Sequence, residues 1–154
     1  MAPEAIHLTL HFLGNLEREQ QQQLITEADQ ALDDVPSFTV RANGVGAFPS
    51  LSRPQVIWAG VERSDALEDL HRRLARAISS AGIAVEDRPF TPHLTLTRLR
   101  TRPSAQAARR IKDWSSGWTD QVFGVIPVEF VLLYHSQLGA GPARHTAVKS
   151  FRLK

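Results

Sequence analysis

The hydrophobic pattern of the chain alternates between a period of two and a period near 3.6. Residues 6–13 read Ile-His-Leu-Thr-Leu-His-Phe-Leu, which predicts a strand with Ile6, Leu8 and Leu10 on one face and His7, Thr9 and His11 on the other. Gly14 and Asn15 end it, and Asn15 is placed to cap a helix over 16–32 in which Leu24, Ile25, Ala28, Ala31 and Leu32 recur at helical spacing. An extended or bulged strand is expected over 38–48, where valines share the segment with glycines, then a loop over 49–54 and a strand over 55–61. Asp65-Ala66-Leu67-Glu68 has the form of a capping box and opens a helix to about Ala81, with Leu67, Leu70, Leu74, Ala77 and Ile78 as its apolar stripe. A short strand is expected over 83–86, and a further strand over 93–97. Ser104 caps a third helix to about Trp114, and strands over 130–134 and 147–153 finish the chain. Strand pairs interspersed with helices favour an α+β fold with antiparallel sheets over a doubly wound parallel sheet.

Composition narrows the class. A chain of 154 residues, 42% hydrophobic and 22% charged, fits one compact domain or two small lobes sharing an interface, and excludes a disordered or fibrous protein. The absence of cysteine removes a disulfide framework, a thiolate zinc site and a cysteine nucleophile. No apolar run reaches the roughly 20 residues of a membrane-spanning helix, and residues 1–5 lack the features of a signal peptide. A cytoplasmic protein without a membrane partner is therefore expected. Charge is unevenly placed: up to Asp87 the chain has 7 basic against 13 acidic residues, and from Arg88 onward 11 against 3. The basic second half suits an anionic partner such as phosphate or nucleic acid.

The tetrapeptide His-Leu-Thr-Leu occurs twice, at His7–Leu10 and His93–Leu96, each time on a segment that reads as a strand followed by a helix. A single histidine on a strand face most often carries only structure, but recurrence with the same neighbours and the same facing implies an internal duplication and two equivalent lobes. Two histidines flanking one phosphorus can divide an in-line displacement, one taking a proton from water while the other gives one to the departing oxygen. The threonine two residues on shares the strand face and can donate to a non-bridging phosphoryl oxygen. A metal site is not expected, because His7 and His11, four apart on a strand, sit about 13 Å from each other. The sequence has no His-Glu-x-x-His pattern, no Gly-x-Ser-x-Gly elbow and no P-loop.

The stretches 3–14 and 88–98, with Gly46-Ala47-Phe48-Pro49, Val56-Ile57-Trp58-Ala59-Gly60 and Leu133-Tyr134-His135-Ser136-Gln137-Leu138, resemble the two-histidine phosphoesterase superfamily. More narrowly, they are similar to the bacterial and archaeal RNA 2′,3′-cyclic phosphodiesterases, also called 2′-5′ RNA ligases. The resemblance implies a bilobal α+β fold of two pseudo-symmetric lobes, helices outside, with both motif strands facing a central cleft. It implies hydrolysis of RNA 2′,3′-cyclic phosphate ends, or of a cyclic nucleotide, to a 2′-phosphate by a monomer without metal or other cofactor. In that reading His7 is the acid that protonates the 3′ oxygen, His93 the base that activates water, and Thr9 and Thr95 hold the phosphate. The sequence by itself gives no asymmetry between acid and base. Members of the family also carry a strand and helix ahead of the first motif that have no counterpart in this sequence, and His11 and His145 stand where Lys or Arg and Tyr are frequent.

Further substrate contacts are expected at Arg98, Phe48, Phe90, Arg53 and Arg88. Arg98 matches a family position associated with the phosphate, yet strict alternation from His93 turns it to the other face, so its involvement requires a twist or strand end. Phe48 and Phe90, beside proline-bearing loops, are candidates to stack on a base, and Arg53 and Arg88 to clamp the backbone. Two other functions fit the same residues: 2′-5′ ligation of tRNA halves, and RNA binding without catalysis through the basic second half.

Overall fold

The computed structural model describes residues 6–137 and 144–154; the expectations for residues 1–5 and the likeness at Leu138 lie outside them. The elements run α1 (Arg18–Leu32), β1 (Phe38–Phe48), β2 (Val56–Val61), α2 (Asp65–Ser80), β3 (His93–Arg98), α3 (Ala105–Ser116), β4 (Val122–Val128), β5 (Phe130–Gln137) and β6 (Arg144–Arg152). They form an α+β fold with one sheet in the order β3-β2-β1-β4 and a second, two-stranded sheet of β5 and β6. The β1–β2, β2–β3 and β5–β6 pairings are antiparallel. The chain divides into two compact units: Met1–Leu10, Val40–Ser64 and Arg88–Ile126 make the first, and His11–Thr39, Asp65–Asp87 and Pro127–Lys154 the second.

In the second unit the periodic stripes behave as the sequence predicts. Leu67, Leu70, Leu74, Ala77 and Ile78 of α2 are all buried, as are Leu24, Ala28 and Leu32 of α1. Leu24, Ile78, Ala81 and Ile83 form one cluster, with Leu13, Leu16 and Leu133 packed against it. The expected strand over 83–86 is absent, because Ile83 serves as an anchor in that cluster and its amide donates to the Ile78 carbonyl at the end of α2. The cap of α1 also differs: Glu17 takes the position instead of Asn15, and its backbone amide is closed by Gln20 Oε1 at 3.1 Å. The third helix starts where expected, with Ser104 Oγ accepting from the Ala107 amide at 3.2 Å.

An exposed ion cluster ties α2 to the end of α1. Asp69 accepts from Arg73 Nε at 2.7 Å and Arg72 Nη2 at 2.6 Å, while Arg73 Nη1 reaches Asp34 at 2.8 Å. The Arg73 hydrogen bond, with Arg72 beside it, holds the Asp69 carboxyl below its ordinary value. A carboxyl lowered in the folded state stabilises the fold above its unfolded pKa, and that contribution is lost as pH falls through the folded value. We therefore expect the urea midpoint to decline below about pH 4, and Asp69→Asn to remove a small part of that decline. The part is small because exposed ion pairs are screened.

The first unit holds both repeated tetrapeptides. The second copy lies on β3. The first is not a regular strand: among the described residues a single antiparallel bridge, Leu8 to Leu94, joins it to the edge of β3. The alternation is kept at this edge without a continuous ladder of backbone hydrogen bonds. β4 is an element the hydrophobic pattern does not predict. It lies at the opposite edge, and Val122, Phe123, Val125 and Ile126 are exposed along it.

Candidate active site

The Leu8–Leu94 bridge fixes the register between the two motifs. An antiparallel pair centred there sets His7 opposite Thr95 and Thr9 opposite His93, so all four side chains lie on one face, while Leu8 and Leu94 turn to the other. Sheet geometry puts His7 and His93 on a diagonal, about 7–8 Å apart at the backbone. The reverse face is apolar: Ala42, Ala59, Leu94 and Leu96, with Phe123 and Val125 of β4 among the residues across from them, line a hollow of about 320 Å³ that has no acid, base or nucleophile in its walls.

The motif face is built by β2 and β1 as well. Along β2, Ile57, Ala59 and Val61 are buried, which leaves Val56, Trp58 and Gly60 beside the motif residues. Gly60 pairs with His93 and Trp58 with Thr95. On β1, Gly46 pairs with Trp58 and Phe48 with Val56. The Phe48 ring meets His93 edge-on with centroids 4.9 Å apart, and the Trp58 ring lies 5.3 Å from Phe48 and 6.1 Å from His93. Gly46 makes this wall possible: a Cβ there would come within 2.2 Å of the Trp58 indole. Gly44, at φ +65, occupies the bulge that shifts the β1–β2 register between Asn43 and Val45.

His93 is held in one tautomer. Its Nδ1 donates to the Thr91 carbonyl at 2.7 Å, and since a carbonyl only accepts, the lone pair of the neutral ring resides on Nε2. Among the described residues no hydrogen-bond partner meets that Nε2. His7, Thr9 and Thr95 are half-buried, accessible to a ligand without being fully solvated.

Arg98 joins the same face through a bulge. Ile57 pairs with Thr97 but Trp58 pairs with Thr95, so β3 carries one extra residue, Leu96, at that point. The extra residue shifts the alternation by one, and Arg98, paired with Val56, returns to the side of His93 and Thr95. Strict alternation, which turns Arg98 away, fails here for that reason. Arg53 and Arg88 are exposed on loops of the same unit, Arg53 in the turn where its amide donates to the Ser50 carbonyl. Phe90 lies in the loop before β3, where its carbonyl accepts from the Arg63 guanidinium. Trp58 is a member of the site that the motif reading misses; its signal is the alternation Val56-Ile57-Trp58-Ala59, which sets a large aromatic opposite Gly46. His11 and His145 belong to the second unit, His11 stacked on His71 at 4.0 Å and His145 hydrogen-bonded through Nδ1 to Ser136 Oγ at 2.8 Å. Among the described residues no three His, Cys, Asp or Glu side chains gather as metal ligands would.

Comparison with known proteins bears on what this face is. The model of the 2′-5′ RNA ligase superfamily matches residues 2–134, which includes both tetrapeptides. The chain belongs to the 2′-5′ RNA ligase superfamily. Among its superfamily relatives, a Thermotoga maritima protein named RNA 2′,3′-cyclic phosphodiesterase is 32% identical over 103 residues, 67% of this chain and 54% of the relative, so the match spans about half of that protein's length. A protein of the same name from Aquifex aeolicus is 28% identical over 153 residues, 98% of this chain and 79% of the relative. Among solved structures of superfamily type, Escherichia coli LigT complexed with 3′-AMP superposes with a TM-score of 0.72 at 26% identity, covering 99% of this chain and 79% of LigT. No helix among the described residues is long and apolar enough to cross a membrane.

Proposed function

We propose that the protein hydrolyses RNA 2′,3′-cyclic phosphate ends to 2′-phosphates, with His7 and His93 as the acid and base. The observation that carries this reading is the Leu8–Leu94 bridge, which gathers two imidazoles and two hydroxyls on one face of one unit. Relatives named for this activity, and the nucleotide complex of LigT, support the substrate class.

The Thr91 contact orients His93 with Nε2 free to exchange a proton, which is compatible with the base role that the family resemblance assigns it. With Nδ1–H engaged by Thr91, the Nε2 lone pair is available to take a proton from water as the water oxygen attacks phosphorus. The P–O3′ bond breaks on the opposite side, and His7, protonated, gives the 3′ oxygen its proton. The phosphate stays on the 2′ oxygen. Thr9 and Thr95 donate to the non-bridging oxygens, where charge accumulates in the transition state, and Arg98 adds a cation on the same face. Phe48 and Trp58 close one side of His93 and leave aromatic faces against which a base can pack. Phe90, Arg53 and Arg88 lie on loops of this unit as outer contacts for the RNA. No step calls for a metal ion.

The test is turnover of an oligoribonucleotide ending in a 2′,3′-cyclic phosphate, assayed in excess chelator with the products separated by chromatography. The expected product is the 2′-phosphate, and Thr95→Val is expected to lower kcat by about 10²-fold with little change in KM. A 3′-phosphate product, or loss of turnover on chelation, would overturn the mechanism.

A further inference from the structure

Between Arg98 and Lys112 the chain carries six cations, Arg98, Arg100, Arg102, Arg109, Arg110 and Lys112, and no acidic residue. All six are exposed, and among the described residues none is in an ion pair. Arg41, Arg72, Arg73, Lys149 and Lys154, by contrast, each face a carboxylate within 4 Å, while Arg18, Arg53, Arg76 and Arg88 are scattered singly along the chain. The densest run of such cations thus lies on β3's end, the following loop and α3, all in the unit that holds the two histidines, with Asp113 the one carboxylate of α3.

Beside these cations runs a line of exposed aromatic rings. Trp114 is 48% exposed, Trp118 39% and Phe123 46%. The rings step 6.2 Å from Trp114 to Trp118 and 6.1 Å from Trp118 to Phe123, the second pair tilted by only 26°. Arg110 precedes Trp114 by one helical turn, so cation and ring share a side of α3. Ala108 and Ser115 face inward and hold the helix in place. Large rings left in water normally find a cover. A protein partner would be expected to bring carboxylates to so basic a border, whereas a single-stranded polynucleotide supplies both phosphates for the cations and base faces for the rings.

We propose that α3 and the loop before it are a second RNA contact, a strand-binding platform that takes the nucleotides upstream of the cyclic phosphate by stacking on Trp114 and Trp118, with Arg100, Arg102, Arg109, Arg110 and Lys112 along the phosphates. It rests on the proposed function for its substrate and adds that the favoured substrate is an RNA strand rather than a cyclic mononucleotide. The platform selects by length and single-strandedness, with little sequence preference, because every base has a face to stack.

The experiment uses two variants, Arg109→Ala/Arg110→Ala and Trp118→Ala, and two readouts. The first is fluorescence anisotropy with a labelled 12-nucleotide single strand ending in an ordinary 3′-hydroxyl, which needs no catalysis. Each variant is expected to weaken binding about tenfold, and the double arginine variant to flatten the dependence of log K on log salt by about 1.4, or about 0.7 for each phosphate no longer neutralised. The second is the ratio of kcat/KM for a cyclic-phosphate 12-mer to that for 2′,3′-cyclic AMP, expected to fall about tenfold. Unchanged anisotropy in both variants overturns the platform, whatever the enzyme hydrolyses. A wild-type dimer in sedimentation that Trp118→Ala converts to monomer, with RNA affinity untouched, overturns it in favour of a contact between two copies. Absence of turnover on any cyclic phosphate, with anisotropy behaving as expected, removes the proposed activity and leaves the platform standing.

Discussion

Replacing His93 by Ala is expected to lower kcat/KM for a cyclic-phosphate end by 10²- to 10⁴-fold, the range by which a positioned general acid or base accelerates a reaction. His7→Ala should cost a similar factor, and the double variant little more than either single one, because both residues act on one transition state. A pH–rate profile separates the two roles. The wild type should give a bell whose limbs belong to the coupled pair, and each single variant should retain one limb. His93→Gln keeps bulk in the space against Phe48 and Trp58 without supplying a base. Its inactivity alongside an unchanged urea midpoint would assign the loss to chemistry rather than to the wall. Full activity in either alanine variant would end the two-histidine mechanism.

The second large effect is expected at a residue with no functional group. Gly46→Ala places a methyl 2.2 Å from two carbons of the Trp58 ring, closer than any real contact, and the ring must give way. Overpacking of this kind costs about 1–3 kcal/mol. Its displacement is also transmitted, because Trp58 neighbours Phe48 and His93 and pairs through its backbone with Thr95. We expect Gly46→Ala to lower the urea midpoint and, in the fraction still folded, to reduce kcat. Trp58→Leu in the same chain should return the midpoint towards the wild-type value by vacating the clash. If Gly46→Ala were as stable and as active as the wild type, the aromatic wall would be softer than its geometry indicates.

These two sites illustrate what the sequence could and could not convey. The stripe of α2 was legible to the residue, because Leu67, Leu70, Leu74, Ala77 and Ile78 are all buried and helical periodicity is a local property. The bulged strand over 38–48 was legible too, from its glycines. β4 was not. Its outward residues are apolar on both faces and Pro127 interrupts the run, so neither alternation nor a turn signal marks it. The alternation over 6–13 was genuine, but strand formation depends on partners distant in sequence, and among the described residues only Leu8 pairs with one. At the site, the facing of His7, Thr9, His93 and Thr95 followed from period two alone. Arg98 and Trp58 depended on register with β2, a property of two strands that neither one encodes by itself.

The bulge at Leu96 also bears on how relatives should be matched to this chain. Because one additional residue sits between Thr95 and Thr97, the cation facing the histidines is three positions beyond Thr95. In a relative whose β3 is straight, an ungapped column-by-column comparison would pair Arg98 with a side chain on the far side of the sheet. What has to correspond is an angular position about the strand axis, and a family profile that scores columns alone is blind to it.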